Sequence, residues 1–169
     1  MASSEAVRSM LRDLERRERV ELSPVARLLL ATDGTVTHML EALTGQHVTI
    51  DILGRDVSGT TLHRTVALEG AGSGEQLVWA RSEIDLSLLE KEIADALVNG
   101  DIGIGDLLFD ECTETRREIV DMGAVFHENG GFPPFVDSDA AYLFQRRYRI
   151  YDNGDRIMTI TEYFPETLF

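Results

Sequence analysis

Two ionisable residues in this chain fall where the surrounding pattern is apolar. Arg64 alternates with Leu62, Val66 and Leu68 along a β-prone run, so it shares their inward face. Glu162 stands in the same relation to Met158, Ile160 and Phe164. An ionised side chain on an inward face must be paired or have work to do. A guanidinium fork suits a carboxylate by two parallel hydrogen bonds, and a carboxylate accepts from a hydroxyl or takes a proton. The function these two residue types suggest is a site at which Arg64 binds a ligand carboxylate. An internal Arg64–Glu162 ion pair with no chemistry is the alternative, and spacing alone leaves both open.

The segment that carries Glu162 begins at Arg146-Arg147-Tyr148-Arg149-Ile150-Tyr151 and turns at Asn153-Gly154. Asn-Gly between β-prone runs marks a tight hairpin, because a type I′ turn needs positive φ at both central residues. Counted regularly outward from that turn, Arg149 faces Met158, Arg147 faces Ile160, and Glu162 lies diagonal to Arg147. Arg147 and Arg149 then join the candidate substrate-binding residues, while Arg146 and Tyr148 point the other way. A basic edge strand that discourages aggregation is the plainer reading of the same run. Arg81 travels with Leu77 and Trp79, and Ser82 with Val78, Ala80 and Ile84. The pattern does not say which set is inside, and Arg81 is kept as a further substrate-binding candidate. Gly103-Ile104-Gly105 ahead of a helix gives a tight turn or a close backbone approach to a ligand. It lacks the Lys-Ser/Thr of a phosphate loop.

Other chemistries are disfavoured. His38, His47, His63 and His127 have no metal-ligand spacing, and no Gly-x-Ser-x-Gly is present, so neither a metal nor triad chemistry is expected. Cys112 is the only cysteine, which forbids an internal disulfide and reads as an inert thiol in a helical stretch. A net charge of −14 lacks the basic footprint of a nucleic-acid binder, so a site for an anion must be made locally from clustered arginines. No apolar run approaches a membrane span or a signal peptide, and a cytoplasmic protein with no membrane partner is expected, monomeric or weakly homo-oligomeric.

The elements that must position these residues read as α+β, an antiparallel sheet with helices packed against it. A charged helix over 3–19 makes an N-terminal segment (1–22), and 23–169 a single domain. Ser23-Pro24 opens a helix through Leu30, and a second runs from Thr35 to Thr44 and stops at Gly45. Strands follow over His47–Leu53, Thr61–Glu69 and Gln76–Ile84, the last two joined as a hairpin. Asp85 caps one helix containing Leu86, Leu89, Ile93 and Leu97. A helix over Leu107-Leu108-Phe109 and a further helical series from Thr113 to Met122 come next. Residues 123–144, with Gly130, Gly131, Pro133 and Pro134, read as a long loop or flap.

Taken in order, these pieces resemble the chorismate pyruvate-lyase superfamily, in its mycobacterial and archaeal-type branch. The likeness runs from about Leu28 to Pro165. It rests on Leu28-Leu29-Leu30-Ala31-Thr32-Asp33-Gly34-Thr35-Val36-Thr37, Leu62-His63-Arg64-Thr65-Val66-Ala67-Leu68, Ala80-Arg81-Ser82 and Ile102-Gly103-Ile104-Gly105-Asp106-Leu107-Leu108. The closing pair, Arg146-Arg147-Tyr148-Arg149-Ile150 and Met158-Thr159-Ile160-Thr161-Glu162-Tyr163-Phe164, is its most distinctive part. The resemblance implies a ligand enclosed between sheet and flaps, and cleavage of chorismate to 4-hydroxybenzoate and pyruvate without cofactor. It puts the substrate-carboxylate arginine on Arg64, the active-site glutamate on Glu162, and ligand contacts on Val36 and Ile104. Thr35 and Gly105 adjoin those contacts and complete the substrate-binding set, and Arg147 or Arg149 would hold a second carboxylate or fix Glu162. Val36 stands where better-known members have methionine, and 123–144 is longer than in compact ones. A member acting on another carboxylated or cyclising substrate is therefore the alternative. A small-molecule sensor is a third reading, since effector domains of certain transcription regulators share the fold.

Overall fold

The computed structural model describes residues 4–105, 107 and 115–168. Among them are four helices, α1 (Ser4–Glu18), α2 (Pro24–Ala31), α3 (Val36–Thr44) and α4 (Lys91–Asn99). Six strands complete the fold: β1 (Val48–Ser58), β2 (Thr61–Gly70), β3 (Gln76–Asp85), β4 (Thr115–Phe126), β5 (Tyr142–Asp152) and β6 (Asp155–Pro165). The strands form one antiparallel sheet in the order β1-β2-β3-β6-β5-β4.

Local chemistry sets the boundaries. The Ser23 hydroxyl accepts from the Ala26 N–H at the start of α2, with Pro24 at the first helical position. Gly45 ends α3 in the left-handed region at φ 69°. Asp85 caps only a single 3-10 turn over Leu86–Leu88, and α4 begins separately at Lys91, so the one helix expected there is two pieces. The larger correction is β4. The helical series expected from Thr113 to Met122 is an edge strand from Thr115 onward. A bulge between Ile119 and Asp121 adds a residue, so the buried Ile119 and Met122 are three apart and imitate a helical period. Cys112, Leu108 and Phe109 lie outside the described residues.

Helices cover one face of the sheet and build the main core. Leu14 of α1, Leu30 of α2, Leu40 of α3 and Leu97 of α4 are fully buried there against Leu62, Val78, Ile84 and Ile160. Each such leucine contributes about 1.5–3 kcal/mol by leaving water. The other face carries a smaller cluster in which Ala67, Trp79, Leu143 and Tyr163 are covered by Phe132, Phe135, Val136 and Ala140. The stretch expected as a flap over the site thus begins as β4 and continues as a cover for the sheet's far face. No helix among the described residues is long and apolar enough to cross a membrane.

Candidate functional site

Cross-strand register draws the site. One row on the helix-covered face runs Arg55, Arg64, Ser82, Ile160, Tyr148 and Ile119 across the whole sheet. The adjacent row runs Ile52, Val66, Ala80, Glu162, Arg146 and Met122. Arg64 and Glu162 are therefore two strands apart and one row apart, with about 12 Å between their Cα atoms at ordinary sheet spacings. Both line a cavity between this face and two short segments. One segment is the start of α3, with Thr35 and Val36. The other is the helical turn after Gly103, with Ile104 and Gly105. A side chain at position 105 would meet the Thr35 methyl at 2.9 Å, so glycine lets the two walls close.

Glu162 is 6% exposed, and its partner is Arg146. Oε2 accepts from Arg146 Nε at 2.9 Å and also from Nη2, while Oε1 accepts from the Tyr148 hydroxyl at 3.1 Å. Arg146 Nη1 donates to the carbonyls of Leu29 at 2.7 Å and Thr32 at 2.6 Å, which ties the end of α2 to the sheet. Burial, reinforced by the Glu162 charge, pushes the Tyr148 hydroxyl well up, so Tyr148 remains a donor. Among the described residues, three of the four acceptor positions of the carboxylate are used, and the fourth, on Oε1, has no donor.

Arg64 is 1% exposed and differs sharply from Arg146. Nη2 donates to the Ile102 carbonyl at 2.6 Å, and Nε is buried with no acceptor. Among the described residues no carboxylate forms an ion pair with it, so the internal Arg64–Glu162 bridge is not made. Burial pulls its pKa down to about 10, aided by the like charge of Arg55 and opposed by Asp101. It is a cation at neutral pH with unused hydrogen-bonding capacity, facing a cavity.

Arg147, Arg149 and Arg81 are elsewhere. The hairpin turn forms as expected, with φ 47° at Asn153 and 92° at Gly154. Between Ile150 and Tyr151 the register shifts by one residue, so Ile150 faces Met158, Tyr148 faces Ile160 and Arg146 faces Glu162. That slip moves Arg147 and Arg149 to the far face and brings Arg146 and Tyr148 in. Arg147 is half-exposed, 3.9 Å from Asp121. Arg81 is exposed on the far face, over the Phe135 ring at 5.6 Å. Regular counting missed Arg146, although matching the apolar Phe144, Tyr148 and Ile150 to Met158, Ile160 and Phe164 demands the bulge.

Arg117 on β4 is a second residue that sequence reasoning missed, because its segment read as helix. It lines the cavity, and Nη1 donates to the carbonyls of Asp33 at 3.1 Å and Gly34 at 2.8 Å. Among the described residues no group of three or more His, Cys, Asp or Glu is placed to hold a metal ion.

Comparison with known proteins agrees with this architecture. A family model described as chorismate pyruvate-lyase Rv2949c-like matches residues 30–169. The chorismate pyruvate-lyase of Mycobacterium leprae (strain TN) is 29% identical over 178 residues, covering 94% of this chain and 82% of that protein. MJ0807 of Methanocaldococcus jannaschii is 30% identical over 143 residues, covering 82% of this chain and 76% of that one. Among solved structures, the effector domain of PhnF from Mycobacterium smegmatis matches with TM-score 0.55 at 10% identity, over 79% of this chain and 90% of that one. The PhnF structure from the same organism matches with TM-score 0.56 at 13% identity, over 98% and 80%. At such identities the likeness concerns the fold alone, which is chorismate lyase-like.

Proposed function

Since this chain belongs to the Rv2949c-like chorismate pyruvate-lyase family, we propose that it cleaves chorismate to 4-hydroxybenzoate and pyruvate, using its own side chains and no cofactor. The observation that carries this reading is Arg64, a buried guanidinium with an unpartnered Nε, aimed at a cavity that also presents Glu162. A fork left without a carboxylate among the described residues is suited to take one from a ligand.

Chorismate carries a ring carboxylate and, on two neighbouring carbons farther round the ring, an enolpyruvyl ether and a hydroxyl. The reaction breaks the ether bond at the ring carbon and removes the hydrogen from the carbon that bears the hydroxyl. The ring becomes aromatic, and the released enolpyruvate takes up a proton to become pyruvate. Aromatisation supplies the driving force. The protein has to hold two carboxylates, exclude water and fix the ring so that the leaving group and the departing hydrogen are aligned. Arg64 clamps a carboxylate, and the free acceptor position on Glu162 Oε1 takes the ring hydroxyl.

Incubation with saturating chorismate tests this directly. Both products are expected, with turnover lost in Arg64→Ala and Glu162→Gln. Absence of both products from the wild-type protein would remove the assignment. The same cavity suits another carboxylated or cyclising substrate, a reading favoured by the small Val36 in its wall. A ligand retained through purification and identified by native mass spectrometry separates the two, since a hydroxybenzoate counts for chorismate.

A further inference from the structure

The cavity wall contains three charged side chains among the described residues, Arg64, Arg117 and Glu162. Glu162 is already neutralised from behind by Arg146, which leaves two cations on the wall and, among the described residues, no carboxylate paired with either one. The complement of such a wall is a ligand with two carboxylates and one hydroxyl. We infer that Arg117 is a substrate-binding residue that holds the second carboxylate of a dicarboxylate substrate at the mouth of the cavity. This rests on the lyase reading for the identity of that substrate, and on the geometry alone for its charge pattern.

Four observations support it. Arg117 faces Ile150 across the β4–β5 ladder, next to the Ile119–Tyr148 pair, so it stands on the cavity side of the sheet. It lines the same cavity as Tyr148, whose hydroxyl donates to Glu162. Both of its bonds to Asp33 and Gly34 use Nη1, which fixes the plane of the guanidinium while most of its donors have no acceptor among the described residues. It also borders the open grooves beyond the mouth, where Asp33, His38 and Arg116 lie. On a chain of net charge −14, a dianion reaching this site needs a local cation at the entrance, and the one deep in the cavity, Arg64, is too enclosed to be met first.

The assignment separates from mere bracing of the 33–35 turn by comparing probes with one and two carboxylates. The probes are 3-hydroxybenzoate and its enolpyruvyl ether, an aromatic, non-reacting mimic of chorismate. Wild-type protein is expected to bind the ether at least tenfold more tightly than 3-hydroxybenzoate by calorimetry. Arg117→Gln should lose most of that advantage while its affinity for 3-hydroxybenzoate stays within about twofold, and Arg117→Lys should recover part of it. A parallel loss for both probes assigns Arg117 a bracing role and overturns the inference. So does an advantage that survives in Arg117→Gln, or the lack of one in the wild type. Turnover of chorismate by the wild-type protein, measured alongside, reports on the lyase reading independently of these affinities.

Discussion

Arg146 stands directly opposite Glu162 in the β5–β6 ladder, with Nε 2.9 Å from Oε2 and both side chains almost fully buried. The same guanidinium also satisfies the carbonyls of Leu29 and Thr32, so it joins the candidate site to the helix layer. Its neighbour Arg147 is half-exposed on the far face. Breaking a buried pair from one side leaves the other charge without compensation, which costs about 3–5 kcal/mol, whereas an exposed arginine is worth about 0.5 kcal/mol or less. Arg146→Ala should therefore lower the urea midpoint severely, and Arg147→Ala should leave it nearly unchanged. Similar losses in the two variants would contradict the register.

Adjacent arginines with such different fates show where sequence reading succeeds and where it stops. The inward placement of Arg64 was legible because β2 pairs regularly with β3 through that stretch, so period-two alternation survives. Glu162 was legible for the same reason. Its partner was not, because the shift between Ile150 and Tyr151 inserts one residue after a correctly read turn and inverts every assignment beyond it. Ile157 and Met158 are both buried in succession, the local mark of that bulge. β4 was lost to a similar cause, since its bulge gives Ile119 and Met122 a helical spacing and hides Arg117. Segment 127–141 was recognisable as irregular, but alternation cannot reveal which face of a sheet an irregular segment covers.

Burial lowers Arg64 to a pKa of about 10, below the ordinary guanidinium value, and this sets a pH dependence. Below about pH 10 both folded and unfolded chains hold the proton, and the burial penalty is fully present. Above it the unfolded chain binds more protons than the folded one, so this group makes the unfolding free energy rise with pH. Anion binding runs oppositely, because it needs the protonated form. Benzoate affinity should be level from about pH 6 to about pH 9 and fall above about pH 10. Arg64→Met should bind benzoate weakly throughout and lack that break. A break that persists in Arg64→Met would assign the titration to another group.

Contact between Gly105 and Thr35 predicts a repairable defect. A Cβ at position 105 would lie 2.9 Å from Thr35 Cγ2, closer than such atoms pack, and both residues line the cavity. Gly105→Ala should push the two walls apart and weaken benzoate binding by roughly tenfold, at a cost of about 1–3 kcal/mol for overpacking. Adding Thr35→Ser removes the clashing methyl and should restore most of the affinity. If the double variant binds no better than Gly105→Ala alone, the close approach of these two segments is not what shapes the site.

Arg55 lies opposite Arg64 in the β1–β2 ladder, and the two like charges reach the same backbone segment. Arg55 Nη2 donates to the Gly100 carbonyl and to Asp101 Oδ1 at 2.9 Å, while Arg64 Nη2 donates to the Ile102 carbonyl. The segment they hold leads straight into the wall at Gly103–Gly105. Asp101 is 81% exposed, so its ion pair with Arg55 is worth about 0–1 kcal/mol. The bond from a charged donor to the Gly100 carbonyl is worth about 1.5–3 kcal/mol. Arg55→Gln should therefore speed amide exchange at Ile102 and Ile104 and weaken benzoate binding severalfold. Asp101→Asn should change both by less than about twofold. Equal effects in the two variants would show that the surface ion pair, and not the carbonyl tie, fixes this wall of the cavity.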